Sequence, residues 1–294
     1  MAARPDAAGR DEEARRQGVL LAVVAVIAFS TSPIFLRLAA PLGPFEITTG
    51  RMALGAVAVW VLAWRVGQPL LPRKSDMPLF VLIGLITALH FFGYVASLSY
   101  TTIAHSLAIT YTAPIFVAIL SAWLLREPMR SRQWAGILVA VAGIAVLVGF
   151  EPSMSRSMVI GDLLALMSAV AFGFYSVAGR SQRHRYPLFT YAATVYGLAA
   201  LWLLPAALLT IHPAGYNQGS LLALIGAALI PLALGHTLYN AALRRTHAAT
   251  VNVIATQEVT GGVLLGAWIL GEIPGANEIV GAAIALLGVV LVIL

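Results

Sequence analysis

Cysteine is absent from all 294 residues, so the chain can form neither a disulfide framework nor a thiolate metal site. Charge is scarce as well. Asp, Glu, Lys and Arg make up 10% of the residues against 60% hydrophobic ones, and mean hydropathy is +0.89. A soluble chain of this length could bury a core, but it would still need a polar surface that this composition cannot supply. The charges fall in short clusters between apolar runs of about twenty residues, the length that crosses a bilayer's hydrocarbon core as helix. Period-two alternation in pieces of roughly ten residues, the mark of a membrane β-barrel, is missing. So are HExxH, paired membrane aspartates and G-x-S-x-G, the signatures of an intramembrane enzyme. No enzymatic activity, cofactor or metal is expected. The N-terminal residues 1–17 are charged and polar, unlike a cleavable signal peptide, and are expected to be a disordered cytoplasmic tail.

What the sequence does contain is one unit written twice. Residues 94–143 recur without a gap 145 positions later, at 239–288, with fourteen identities in fifty, among them Tyr94/Tyr239, Trp123/Trp268, Glu127/Glu272, Gly136/Gly281 and Gly143/Gly288. The front of each half agrees: Gly18 to Arg37 lines up with Gly161 to Arg180. The domains expected are residues 18–150 and 160–294.

The apolar runs predict an all-α polytopic protein with ten transmembrane helices, at 18–39, 45–66, 77–98, 104–125, 132–150, 160–181, 187–210, 219–243, 247–270 and 275–294. Fifteen of the eighteen Lys and Arg residues fall in the tails and loops of one side, and Arg156 alone on the other; Arg37 and Arg51 lie within spans. That bias puts both termini in the cytoplasm and makes the net charge of +6 a topology signal, with no nucleic-acid partner expected. Five spans per repeat is an odd number, so the second copy must cross the bilayer in the opposite sense. Inverted repeats of this kind build secondary carriers, whose two halves exchange conformations around a midplane site. Duplication that merely built a stable bundle is the other reading.

The repeated pattern also resembles a known family. A-x-L-x-Y-T-x-x-A at 96–104 runs to W-L-L-R-E-P at 123–128 and Q-W-A-G at 133–136, and its second copy includes W-I-L-G-E at 268–272. These motifs are similar to those of the drug/metabolite transporter superfamily, in its doubled, ten-span EamA-type branch. The resemblance covers the chain beyond residue 17. It implies a multi-pass carrier of the bacterial inner membrane that exports small metabolites, amino acids prominent among them. The small multidrug relatives use a membrane-embedded Glu in their first span. No acidic residue lies between Gly18 and Ala39 here, so that proton-exchange mechanism does not carry over.

Candidate binding residues follow from the cost of placing polar groups in hydrocarbon. Glu258 is the one acidic residue near the middle of a span. Its repeat partner is Ala113, so it lies outside the duplicated scaffold. It would hold a substrate ammonium, accept a coupling proton, or form a scaffold ion pair with Arg51. His90 and His236 lie deep in the third and eighth spans, one turn from Tyr94 and Tyr239, as hydrogen-bonding scaffold or as cavity wall. Tyr111, Tyr175, Asn252, Thr256 and Gln257 complete the set, with Pro114 freeing the Thr110 carbonyl. The resemblance suggests a conformational role for Arg51. Glycines seven apart in the fifth and tenth spans predict close packing, either as a helix pair or as a dimer contact, with the monomer as the functional unit.

The expected function is export of a small zwitterion, amino acids including aromatic ones, by alternating access in the lipid bilayer. The alternative is a multidrug or cation exporter using Glu258 as counter-charge with proton coupling.

Overall fold

The computed structural model describes residues 7–101, 103–149, 155–270 and 274–294. Its ten spans are helical, and no strand occurs among the described residues. In the first half, α1 (Ala7–Phe29) continues after a short break as α2 (Ser32–Leu38), followed by α3 (Pro44–Arg65) and α4 (Met77–Ser97). The fourth span is broken into α5 (Ile103–Thr110), α6 (Ala113–Leu120) and a π-helical turn, Ser121–Leu125, and α7 (Ser131–Val148) closes the half.

The second half repeats this order. It begins with α8 (Arg156–Ser181) and α9 (Leu188–Leu209). The eighth span joins α10 (Gln218–Ala227), a π-helical stretch at Ala228–His236 containing Pro231, and α11 (Thr237–Leu243). The ninth is broken into α12 (Ala248–Ala255) and α13 (Glu258–Leu270), and α14 (Ala276–Ile293) ends the chain. Nine stretches among the described residues are long and apolar enough to cross a membrane, and the interrupted α12–α13 is the tenth span. Leu20, Ile27, Leu163, Leu201 and Leu208 are each 61–66% exposed. An outer surface this apolar suits lipid and not water.

Helix packing obeys the internal repeat. α3 packs on α9, and α7 on α14, each helix against its own counterpart. Other contacts come in equivalent pairs: α4 against α8 mirrors α11 against α1, and α5 against α8 mirrors α12 against α1. The molecule is an all-α polytopic membrane protein made of two five-span units around a pseudo-two-fold axis.

Two expectations change. Residues 7–17, read as a disordered tail, form the first turns of α1. Their charges supply the reason: Glu12 accepts from Arg15 at 2.8 Å and from Arg16 at 2.9 Å, pairs three and four apart on one helix face. Arg15 also donates to the Ile293 carbonyl at 2.9 Å, tying the N-terminal turns to the end of α14. The fourth and ninth spans, read as continuous, are interrupted at Tyr111–Thr112 and Thr256–Gln257. Glu272, placed on the outer side by the repeat, lies outside the described residues.

The spaced glycines resolve into a helix pair within the chain. A Cβ at Gly143 would strike the Ala285 backbone, one at Gly281 the Leu147 backbone, and one at Gly288 the Ala140 backbone. The two small-residue faces thus close on each other across the axis, and neither is left for a dimer. Gly143→Leu should lower the thermal midpoint in detergent, since forced overpacking costs at least about 1–3 kcal/mol. Gly262→Ala meets only Pro33 Cγ, at 3.9 Å, and should leave that midpoint unchanged, as fluorescence-monitored melting will show.

Candidate functional site

Backbone interruptions in a membrane helix free carbonyls and amides that must be satisfied by protein or by water in a cavity. Here the interruptions converge. The gap after Phe29, the break at Tyr111–Thr112, the π-helical stretch with Pro231 and the break at Thr256–Gln257 all border one cavity. Its enclosed volume is about 40 Å³, and about 500 Å³ of empty space is reached only when the open solvent at its mouth is counted. It lies between mid-span and the end of the bundle where α2 leads into α3, the side that carries few basic residues.

Five of the sequence-predicted residues meet there: His90, Tyr94, Tyr111, His236 and Glu258. Glu258 begins α13, so its carboxylate sits in the first turn, where the helix dipole favours negative charge. It interacts with the Tyr111 hydroxyl and, through charge, with Arg51. His90 is fixed from behind: its Nδ1 lies 3.0 Å from Ser168 Oγ, and its ring stacks on Phe172 at 4.4 Å between centroids. The His236 ring is wedged between Phe29, at 4.4 Å, and Phe91, at 4.7 Å, and its buried Nδ1 has no protein partner.

Arg51, expected as a partner of Glu258 or in a conformational role, is the cation that lines this site. It is 2% exposed, its Cζ lies 5.0 Å above the Phe91 ring, and its Nε and Nη1 find no protein hydrogen-bond partner. No ion pair within 4.0 Å joins it to Glu258 among the described residues, so the two charges face a shared space without neutralising each other in contact. Ser32, Thr110 and the rings of Phe29, Phe91 and Phe172 complete the wall. The signal that could have marked Arg51 was its depth: seven residues inside α3, too far for snorkelling.

The other five candidates are not among the lining residues. Thr256 and Gln257 sit in the break between Ala255 and Glu258, and Tyr175, Tyr239 and Asn252 lie deeper toward the opposite end. The Tyr175 hydroxyl accepts from Asn240 Nδ2 at 2.6 Å. The Tyr239 hydroxyl pairs with Ser176 Oγ at 2.6 Å and accepts from Asn252 Nδ2 at 3.1 Å. Thr256 donates to the Val253 carbonyl, and Gln257 bonds Thr256 and Thr260 within its own turn. Tyr175, Tyr239 and Asn252, with Asn240 and Tyr196, form a hydrogen-bonded polar layer beneath the cavity floor.

Past that layer the bundle is sealed. The π-helical turn at Ser121–Leu125 exits through Arg126 in the left-handed region (φ 55°), and Pro128 prevents helix from resuming. This turn delivers Glu127 to the end of α8, where Arg180 donates to it at 3.0–3.1 Å and Arg183 lies 3.7 Å away. His247 Nδ1 sits 3.3 Å from the same carboxylate, and Arg180 Nη1 also donates to the Leu243 carbonyl at 2.9 Å. Burial opposes the charge on Glu127. The bonds from His247 and Arg180 outweigh that opposition and hold its carboxyl down at about 2. One cluster thereby ties four chain segments together at this end.

Comparison with known proteins agrees with this architecture. The EamA-like transporter family matches residues 16–149 and again residues 159–294. A transporter of Archaeoglobus fulgidus is 24% identical over 92% of this chain and 96% of its own length. The aromatic amino acid exporter YddG of Ancylobacter novellus is 26% identical over 82% of this chain and 84% of its own length. A crystal structure with 22% identity superposes with a TM-score of 0.81 over 94% of this chain and 96% of that one, a likeness of fold.

Glu127→Gln should destabilise the seal by about 1–3 kcal/mol, the range for losing charge-assisted bonds to a largely buried group. The group's folded-state pKa is depressed, so its contribution is complete above its ordinary value of 4.5 and fades as pH falls toward about 2. Melting curves of wild type and variant should therefore differ most at neutral pH and converge across that acid window.

Proposed function

The chain belongs to the EamA-like transporter family, and from that premise we propose that it exports small zwitterionic metabolites, aromatic amino acids among them, from a bacterial cytoplasm. Transport proceeds by alternating access, with both termini on the cytoplasmic side of the inner membrane. The observation that carries the reading is one buried guanidinium facing one half-buried carboxylate across an aromatic-walled cavity.

An α-amino acid needs complementary groups at both charged ends and an apolar wall for its side chain. Glu258 supplies an acceptor for the ammonium. Arg51, with Nε and Nη1 unengaged by protein, supplies donors for the carboxylate. The rings of Phe29, Phe91 and Phe172 offer faces and edges to an aromatic side chain. The fold takes Arg51 out of water, and a ligand that bridges it to Glu258 offsets part of that penalty. An exporter of lipophilic cations is a poorer match, because Arg51 would repel such a ligand from the space that Glu258 faces. The aromatic amino acid exporter of Ancylobacter novellus, alike in sequence along most of both chains, supports the same substrate class.

Counterflow in proteoliposomes provides the test. Liposomes preloaded with unlabelled tryptophan should accumulate labelled tryptophan, saturably. Tryptamine and indole-3-propionate, each lacking one charge, should compete roughly 10–100-fold less well, corresponding to loss of one charge-assisted contact. Glu258→Gln and Arg51→Met should each abolish counterflow. Strong competition by tryptamine, with Arg51→Met still active, would replace this reading by the cation exporter.

A further inference from the structure

The cavity lining, compared with the internal repeat, divides into two classes. Three pairs of equivalent positions contribute both members: Phe29 with Phe172, Phe91 with His236, and Thr110 with Ala255. These lie on the pseudo-two-fold axis. Seven other lining residues have equivalents outside the lining, and four of those equivalents carry polar side chains. Ser32 corresponds to Tyr175, Tyr94 to Tyr239 and Tyr111 to Thr256. Arg51 corresponds to Thr194 when the prolines opening α3 and α9, Pro44 and Pro187, are matched. All four equivalents are buried, and Tyr175 and Tyr239 belong to the hydrogen-bonded polar layer on the sealed side.

We propose that this sealed half holds a second ligand station, lined by Tyr175, Thr194, Tyr239 and Thr256, which opens when the two repeats exchange conformations. The inference rests on the carrier reading, and adds to it residues and a chemistry that the open cavity does not contain.

An independent observation points to the same place. The Thr194 hydroxyl, the Tyr191 hydroxyl and the side-chain carbonyls of Asn240 and Asn252 are buried with no hydrogen-bond partner. Thr194 lies one turn from Tyr191 on α9, and the carbonyl of Asn240 would lie 2.8 Å from a Cβ on Gly179. Unpaired buried polar groups are rare, and each one asks what satisfies it. Asn240 and Asn252 bond Tyr175 and Tyr239 through their amide nitrogens, so a ligand or water admitted beside these rings would find the free carbonyls there.

The two stations differ in charge. Arg51 has a neutral equivalent in Thr194, and Glu258 one in Ala113. Aromatic rings on the axis serve both stations, so the same aromatic ligand class fits both. At the inner station the ligand's charged ends meet hydroxyls and amides instead of full charges. The inner station accordingly binds more weakly than the outer one.

The absence of cysteine makes the test direct. Thr194→Cys, Ser32→Cys and Ser181→Cys are prepared as single variants of the full chain in oriented vesicles. Each is treated from either face with a membrane-impermeant thiol reagent. Ser181 is exposed at the sealed end and reports which face that end occupies. Thr194→Cys is expected to react from the same face as Ser181→Cys, and Ser32→Cys from the opposite face. Tryptophan should slow both of these reactions, the Thr194→Cys one only at higher concentration. A Thr194→Cys that stays unreactive from both faces while Ser32→Cys reacts overturns the proposal. So does reaction of Thr194→Cys that no ligand slows although Ser32→Cys is protected. Accessibility is read without ligand, so a wrong substrate removes only the protection at both sites and leaves the labelling pattern that supports the station.

Discussion

Hydrocarbon offers no hydrogen bonds, and that single constraint organises this molecule. A backbone inside the bilayer must satisfy itself, so helices run unbroken wherever they face lipid. They stop only where protein or a cavity receives the freed groups. The interruptions at Tyr111–Thr112 and Thr256–Gln257 stand at equivalent positions of the two repeats, although residues 110–119 and 255–264 share no identity. Pro114 helps the first break, but nothing comparable follows the second. The interruption therefore belongs to the fold, and the residues around it have been free to diverge. That freedom places Glu258 where the other half has Ala113.

Rigid and mobile parts can be told apart on the same grounds. The fifth and tenth spans approach so closely at Gly143, Gly281 and Gly288 that no side chain could intervene, and they lie apart from the cavity. The walls of the cavity come instead from the first four spans of the first half and from the sixth, eighth and ninth spans. Two end structures meet different fates there. The cluster around Glu127 joins segments from both repeats and shuts one end, while the opposite end leaves Arg51 and Glu258 within reach of the mouth.

Much of this was legible in the residues themselves. The ungapped 145-residue offset, the twenty-residue apolar runs and the glycines seven apart led to the architecture and the α7–α14 pair. The site was half legible. Depth in a span marked His90, Tyr94, Tyr111, His236 and Glu258, all of which border the cavity. The same criterion also selected Tyr175, Tyr239 and Asn252, which bond one another's neighbours across helices. Hydropathy cannot separate the two groups, because in a membrane bundle a polar side chain facing a cavity and one facing another helix sit on equally apolar segments. Arg51 lies seven residues inside α3, a depth that marks it, but depth alone does not separate a conformational role from a ligand-binding one. The N-terminal turns were missed because ion pairs to Glu12 and an anchor on the Ile293 carbonyl stabilise helix where composition alone favours disorder.

The lone guanidinium over Phe91 has a thermodynamic corollary. A protein that offers full charges on one side and only neutral groups on the other will hold its ligand with unequal strength at its two faces. Such inequality cannot drive accumulation. Detailed balance requires the preference to be offset by the resting ratio of the two conformations, so an uncoupled cycle still ends at equal concentrations. What the asymmetry does set is kinetics: which conformation waits, and from which side a dilute solute is captured first.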